Sequence, residues 1–255
     1  MNKINISKTF LIAYTSRCKY EAYLRYVEKR YTEPSLAMIK GNLFEYLLIG
    51  STVTGQVPEM PKLVKGGMSA DEIAVRELVV WAKPVLEKMN FIKETVQETE
   101  IFEDCKMVKD VQGSILDTEA IIDIKYTDTK EDDRWQGWGG DMKDMEYWDF
   151  TEPIHSIYIH LMNTGELLPF IWLVFGKGKW IKPFKIEVSR ETCELHGERI
   201  AKVRKQIENN EFEPCNNFST CNKCDYNPQV DKSGAVIFQC PKAKTYPDFI
   251  EKFIG

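Results

Sequence analysis

The spacing of apolar residues predicts three helices in the first third of the chain. Over residues 7–30, apolar side chains recur at roughly helical spacing, which is typical of a helix with one buried face. A second helix is predicted over 35–50 and a third over 69–89, where Ser69 is suited to cap the first turn. Residues 51–68 contain Gly and Pro without periodicity and are predicted to form a loop.

The pattern then changes to that of β-strands. Residues 94–127 are rich in Val and Ile and predict three or four strands, followed by an acidic loop over 128–149. Beyond this loop the pattern predicts a helix, two strands and a long charged helix, over 151–163, 168–176, 180–188 and 189–210. Helices on both sides of a strand meander indicate an α/β or α+β fold in which helices pack on a mixed sheet.

Composition narrows the class of protein. The chain has 255 residues, of which 43% are hydrophobic, enough for one large domain with a small appendage. No run of about 18 apolar residues exists, and the first residues lack the apolar stretch of a signal peptide. We therefore expect a cytoplasmic protein with no membrane partner.

Charge is unevenly distributed around a net value of −5. Residues 177–205 hold nine Lys and Arg against four Glu, whereas 128–152 hold nine Asp and Glu against three Lys and Arg. The overall sign argues mildly against a nucleic-acid ligand. A basic region beside an acidic one is nevertheless compatible with a nuclease whose metal site is acidic, although ordinary solvated surface gives the same pattern.

The strand pair around Asp110 and Asp123 carries the most informative chemistry. A hairpin that turns within 112–118 places the two carboxylates on neighbouring strands. Asp123 and Lys125 lie two residues apart and so share one face of a strand, while the isoleucines beside them face the core. Paired carboxylates can hold Mg²⁺ or Mn²⁺, which stabilises phosphate charge and lowers the pKa of an attacking water. A nearby lysine can orient that water or offset the charge.

These residues resemble the RecB-like branch of the PD-(D/E)xK nuclease superfamily. In that branch an Asp on one strand precedes an Asp/Glu-x-Lys on the next, and Asp110 and Asp123-Ile124-Lys125 match in this order. Asp117, with Gly113 before it, is an alternative for the first Asp. It lies only six residues before Asp123, however, which makes the hairpin too tight, and we favour Asp110.

Two helices extend the resemblance. Glu45, four residues after Gly41, matches a helical Glu that binds metal in the family. Downstream the family carries a Gln and a Tyr four residues apart on a helix. The Gln is absent from this chain, where Glu152 or His155 is the candidate to replace it and Tyr158 is the candidate aromatic.

The resemblance implies a restriction-endonuclease-like fold, a mixed central sheet flanked by helices, over residues 1–210. It implies that Glu45, Asp110 and Asp123 bind Mg²⁺ or Mn²⁺ and that Lys125 acts on the water or the transition state. The expected function is an exonuclease acting on single-stranded DNA or DNA ends in recombination, repair or phage DNA processing, with a helicase or recombination protein as partner. A non-catalytic DNA-binding or assembly module with a degenerate nuclease fold, or another metalloprotein, is the alternative.

Four cysteines in a tail over 211–255 indicate a metal site. Two layouts remain open. A local zinc site would use Cys215, Cys221, Cys224 and Cys240. The other layout resembles iron–sulfur nucleases of the AddB and CRISPR-adaptation type, and it implies that the tail docks on the N-terminal helix through a [4Fe–4S] cluster held by Cys18, Cys221, Cys224 and Cys240.

Overall fold

The computed structural model describes residues 4–31, 33–62, 67–131, 138, 149–214, 224, 226, 229–230 and 236–238. The chain divides into two compact units. The central unit is Pro34–His196, and the terminal unit combines Met1–Glu33 with Gly197–Gly255. No helix in the described part of the chain is both long enough and apolar enough to cross a bilayer.

A mixed sheet forms the middle of the central unit. Its strands are β2 (Ile92–Phe102), β3 (Cys105–Ile115), β4 (Thr118–Thr127), β5 (Phe170–Gly176) and β6 (Trp180–Ile186). They lie in the order β2-β3-β4-β5-β6. Pairing is antiparallel except between β4 and β5, which run parallel and are joined through a helix, as a parallel connection requires.

The hairpin between β3 and β4 is tighter than the sequence predicted. Its ladder continues to Ile115 and Thr118, so the turn consists of Leu116 and Asp117 alone. Both residues have positive φ, 50° and 59°, as a two-residue turn of type I′ requires. The structure therefore places Asp117 in the turn and leaves Asp110 further back along β3.

Helices cover both faces of this sheet. They are α3 (Leu36–Ile49), α4 (Ala70–Lys88) and α5 (Thr151–Thr164). Ser69 Oγ accepts the Glu72 N–H at 3.1 Å, which confirms the predicted cap of α4. Helices α3 and α4 share a core with one face of the sheet, formed by residues such as Phe44, Leu78, Ile122, Ile124, Leu173 and Phe175. Trp172 precedes Leu173 and so faces the other side, where its indole bonds to α5.

The prediction of one continuous helix over residues 7–30, in the terminal unit, is wrong. The chain instead forms β1 (Ile6–Ser7), α1 (Lys8–Ile12) and α2 (Lys19–Ala22), with π-helical turns over Ala13–Arg17 and Tyr23–Val27. The Cys18 N–H donates to Ala13 O at 2.9 Å, a bond one residue wider than an α-helical one. Cys18 itself is extended, with φ −141° and ψ 119°, so the helix must restart after it.

The second segment of this unit contacts the first through aromatic residues. Helix α6 (Arg190–Glu208) enters it, and β7 (Gln229–Val230) pairs with β8 (Val236–Phe238). Tyr14 donates its hydroxyl proton to Glu211 O at 2.8 Å and packs edge-on against Phe212. Burial, followed by the nearby acidic charges, raises the pKa of Tyr14 to about 12.

Candidate active site

The candidate site lies where β3 and β4 part. Their ladder ends at the pair Val111 and Ile122, beyond which β3 continues along β2 and β4 continues along β5. The next two residues in the same register are Asp110 and Asp123. Opposite residues of an antiparallel pair share a face, so the two carboxylates are neighbours at this opening of the sheet.

Asp110 is anchored to the strand that carries Asp123. It is 9% exposed, and its Oδ2 accepts the backbone N–H of Ile124 at 2.8 Å. The backbone ladder has ended at this point, so the carboxylate takes the place of a backbone acceptor. It satisfies the buried N–H of Ile124. This bond fixes Asp110 against β4.

Lys125 lies between two carboxylates. Its Nζ is 2.5 Å from Asp123 Oδ2 and 3.3 Å from Glu152 Oε1, and Asp123 is 5% exposed. The other oxygen of Glu152 accepts the indole N–H of Trp172 at 3.0 Å. The contacts with two carboxylates hold the Lys125 ammonium group in a defined position.

Gln97 joins the acidic residues of two elements. Its Nε2 donates to Glu45 Oε1 on α3 and, at 3.3 Å, to Asp110 Oδ1 on β3. Through this shared amide the structure brings Glu45 close to Asp110. Gln97 was not predicted, because its position opposite Asp110 follows from the register of β2 with β3.

The acidic residues fit a hard cation by their chemistry. All three candidate ligands supply carboxylate oxygens, which Mg²⁺ and Mn²⁺ prefer. Among the described residues no group of three or more His, Cys, Asp or Glu is placed to hold a metal ion. The Gln97 amide lies between Glu45 and Asp110, and the Lys125 ammonium pairs with Asp123.

The two auxiliary candidates on α5 lie in a different cluster. His155 Nδ1 is 3.1 Å from His196 Nε2, and both rings are buried. Tyr158 packs edge-on against Phe102 and against His196. Of the two residues that could replace the missing Gln, it is Glu152 that contacts Lys125.

Only part of the predicted cysteine site can be located. Cys18 is buried. Glu21 lies about one helical turn after Cys18 along the chain, and Glu21 Oε2 is 3.9 Å from Cys224 Sγ. Both cysteines belong to the terminal unit. Cys215, Cys221 and Cys240 lie outside the described residues.

Comparison with known proteins bears on the fold. No protein-family model and no curated protein matches this chain. A crystal structure from Eubacterium rectale, named "Putative exonuclease", is similar with a TM-score of 0.63 and 22% sequence identity over 91% of each chain. The likeness confirms the predicted fold class, a mixed central sheet flanked by helices.

Proposed function

We propose that this protein is a Mg²⁺- or Mn²⁺-dependent deoxyribonuclease. The observation that carries the proposal is the convergence of Glu45, Asp110, Asp123 and Lys125, from a helix and two strands, where β3 and β4 part. The fold shared with a protein named as an exonuclease supports it. A degenerate binding module would have no need of this set of charges, whose burial is costly.

Each residue has a distinct role in this proposal. Glu45, Asp110 and Asp123 would hold the cation, which when bound polarises the phosphate and lowers the pKa of the attacking water. Lys125 stabilises the negative charge that develops on the phosphate and orients the water. Glu152, fixed by its bond to Trp172, holds Lys125 in place.

We further propose that the substrate is single-stranded DNA or a DNA end. Exposed lysines follow β5 and line β6, including Lys177, Lys179 and Lys185. Such residues bind phosphates without regard to sequence. A role in recombination, repair or phage DNA processing, beside a helicase or recombination protein, would suit an enzyme of this kind.

Degradation of labelled DNA tests the proposal. Purified protein is incubated with linear single-stranded, linear double-stranded and circular single-stranded DNA, with Mn²⁺, with Mg²⁺ or with excess chelator. We expect metal-dependent loss of linear substrates, with circles intact for an exonuclease. Folded protein that binds these substrates but cuts none of them with either metal would favour the binding module.

The cysteines complete the proposal. Cys18, Cys221, Cys224 and Cys240 would hold a structural [4Fe–4S] cluster, for which four thiolates are the usual ligands. Its support is the resemblance in sequence order, together with the presence of Cys18 and Cys224 in one compact unit.

Two serine variants separate this cluster from a local zinc site. Protein is purified without oxygen, and its iron, sulfide and zinc are measured. With an iron–sulfur cluster, Cys18→Ser loses iron and sulfide while Cys215→Ser keeps them. With local zinc, Cys215→Ser loses zinc and Cys18→Ser keeps it.

A further inference from the structure

The backbone of Gln97 is unusual for its position. Its φ is 52°, inside strand β2, whereas the other non-glycine residues with positive φ in the described part of the chain lie in turns or just beyond helix ends. A side chain with this left-handed backbone is disfavoured and persists only where its surroundings enforce it. Strain of this kind concentrates at functional sites.

The side chain of Gln97 contacts two of the candidate metal ligands from this backbone position. Nε2 contacts Glu45 Oε1 and Asp110 Oδ1, so one NH₂ group is shared by two carboxylates. Oε1 of the same amide is buried and has no hydrogen-bond partner among the described residues. Carboxylate oxygens accept hydrogen bonds, so the donor shared by Glu45 and Asp110 sets the orientation of the amide in this state.

We propose that Gln97 is a metal-responsive ligand of the active site. Without a cation its amide nitrogen holds Glu45 and Asp110 together, and with a cation its amide oxygen joins them as a ligand. The inference rests on the proposed metal site, and it adds a neutral fourth member to the three carboxylates.

The geometry of the amide allows this exchange, in which Nε2 gives up its two bonds as the cation takes its place between the carboxylates. A half-turn about the terminal bond of the side chain swaps the amide nitrogen and oxygen while the rest of the residue stays in place. The oxygen gives up no hydrogen bond by turning, because it has no partner among the described residues. Amide oxygens are common ligands of hard cations. The carboxylate pair thus faces the hydrogen-bond donors of the NH₂ group without the metal, and the cation with it.

Calorimetric titration with Mn²⁺, with no DNA present, tests the inference by measuring the affinity of the protein for the metal. The variants are Gln97→Met, which keeps length but removes both polar atoms, Gln97→Glu, and Glu45→Gln. Gln56→Met, at an exposed glutamine in a loop, is the control. We expect Gln97→Met to bind Mn²⁺ at least about tenfold more weakly than wild type. Gln97→Glu should retain or exceed wild-type affinity, and Gln56→Met should match it.

If folded Gln97→Met bound Mn²⁺ as tightly as wild type or more tightly, the inference would be overturned, since the amide would then contribute nothing to metal binding. If that variant fails to fold, the side-chain amide resonances of Gln97 in wild-type protein decide. They must shift as Mg²⁺ saturates the site, and unchanged resonances reject the ligand role. Absence of Mn²⁺ binding in wild type would reject the proposed metal site as well. Binding that Glu45→Gln weakens and Gln97→Met does not would reject the role of Gln97 alone.

Discussion

The carboxylate of Asp110 on β3 accepts the backbone N–H of Ile124 on β4 at 2.8 Å. This bond begins where the backbone ladder between the strands has ended. The proposed metal ligand therefore also completes the sheet. Charge and hydrogen bonding at this position can be separated, because asparagine keeps an acceptor oxygen and alanine does not.

We expect Asp110→Ala to lower the free energy of unfolding by about 1–3 kcal/mol, since it leaves a buried N–H without an acceptor. Asp110→Asn should cost clearly less. Both should reduce nuclease activity at least about 100-fold, because both remove a ligand charge. Urea unfolding of metal-free protein and the DNA assay measure the two effects. Equal stability of the two variants would show that the bond to Ile124 contributes little.

In Lys125→Met, the free energy of unfolding should depend on whether Mn²⁺ is bound. The ammonium 2.5 Å from Asp123 is lost, so we expect the metal-free variant to be about 1–2 kcal/mol less stable than wild type. Mn²⁺ should recover most of this difference, because it supplies positive charge to the same carboxylate. Activity should fall about 100- to 1,000-fold even with Mn²⁺. Thermal unfolding with and without Mn²⁺ measures the recovery. Lys93→Met, an exposed change on β2, should alter neither property.

Gly113 is predicted to be irreplaceable for a packing reason. A Cβ there would lie 2.0 Å from Ile92 O and 3.2 Å from Glu94 N, so β2 would have to move. We expect Gly113→Ala to cost about 1–3 kcal/mol in chemical unfolding and to lower activity, since β2 carries Gln97. Gly41, inside α3, has nothing within 4 Å of a built Cβ. Gly41→Ala should therefore add about 0.5–1 kcal/mol of stability. A free energy of unfolding for Gly113→Ala equal to or above that of Gly41→Ala would contradict this packing.

The half-buried carboxylate of Glu100 on β2 should make the free energy of unfolding depend on pH in the acid range. Burial alone would raise the pKa of Glu100, but hydrogen bonds from His160, Lys109 and Asn163 outweigh it and lower the pKa from 4.5 to about 2. The ionised form is thus favoured in the folded state. Its contribution is complete above pH 4.5 and is lost as the pH falls through about 2.

We expect Glu100→Gln to be less stable than wild type at neutral pH and to approach it as the pH falls from 4.5 towards 2. Chemical unfolding across this range measures the convergence. Glu119→Gln, an exposed change on β4, should follow wild type throughout. A constant gap between Glu100→Gln and wild type would show that the carboxylate titrates alike in the folded and unfolded chain.

Elements that depend on local pattern were predictable from the sequence. The helix predicted over 69–89 is Ala70–Lys88, and the apolar strand predicted over 168–176 is Phe170–Gly176. The strand that carries Asp123 and Lys125 followed from the alternation of charged and apolar residues. The helix predicted over 7–30 failed at Cys18, where an extended residue carries no local signal.

Residues that join the site through tertiary contacts were harder to predict. Gln97 meets Glu45 and Asp110 only because of strand register and a left-handed backbone, neither of which the residue type indicates. Trp172 lies inside a continuous apolar strand, where periodicity does not tell which face a residue occupies. Its bond to Glu152 could therefore not be foreseen.

A comparison of two carboxylates on β4 tests the proposed metal site. Asp123→Asn removes the charge at the opening of the sheet, whereas Glu119→Gln makes the same chemical change at an exposed position near the start of the strand. Both variants and wild type are assayed for Mn²⁺-dependent degradation of linear single-stranded DNA, after their folds are matched by circular dichroism and thermal unfolding. We expect wild type and Glu119→Gln to degrade the DNA at similar rates and Asp123→Asn to be inactive. Equal activity in the two variants would contradict the proposed metal site.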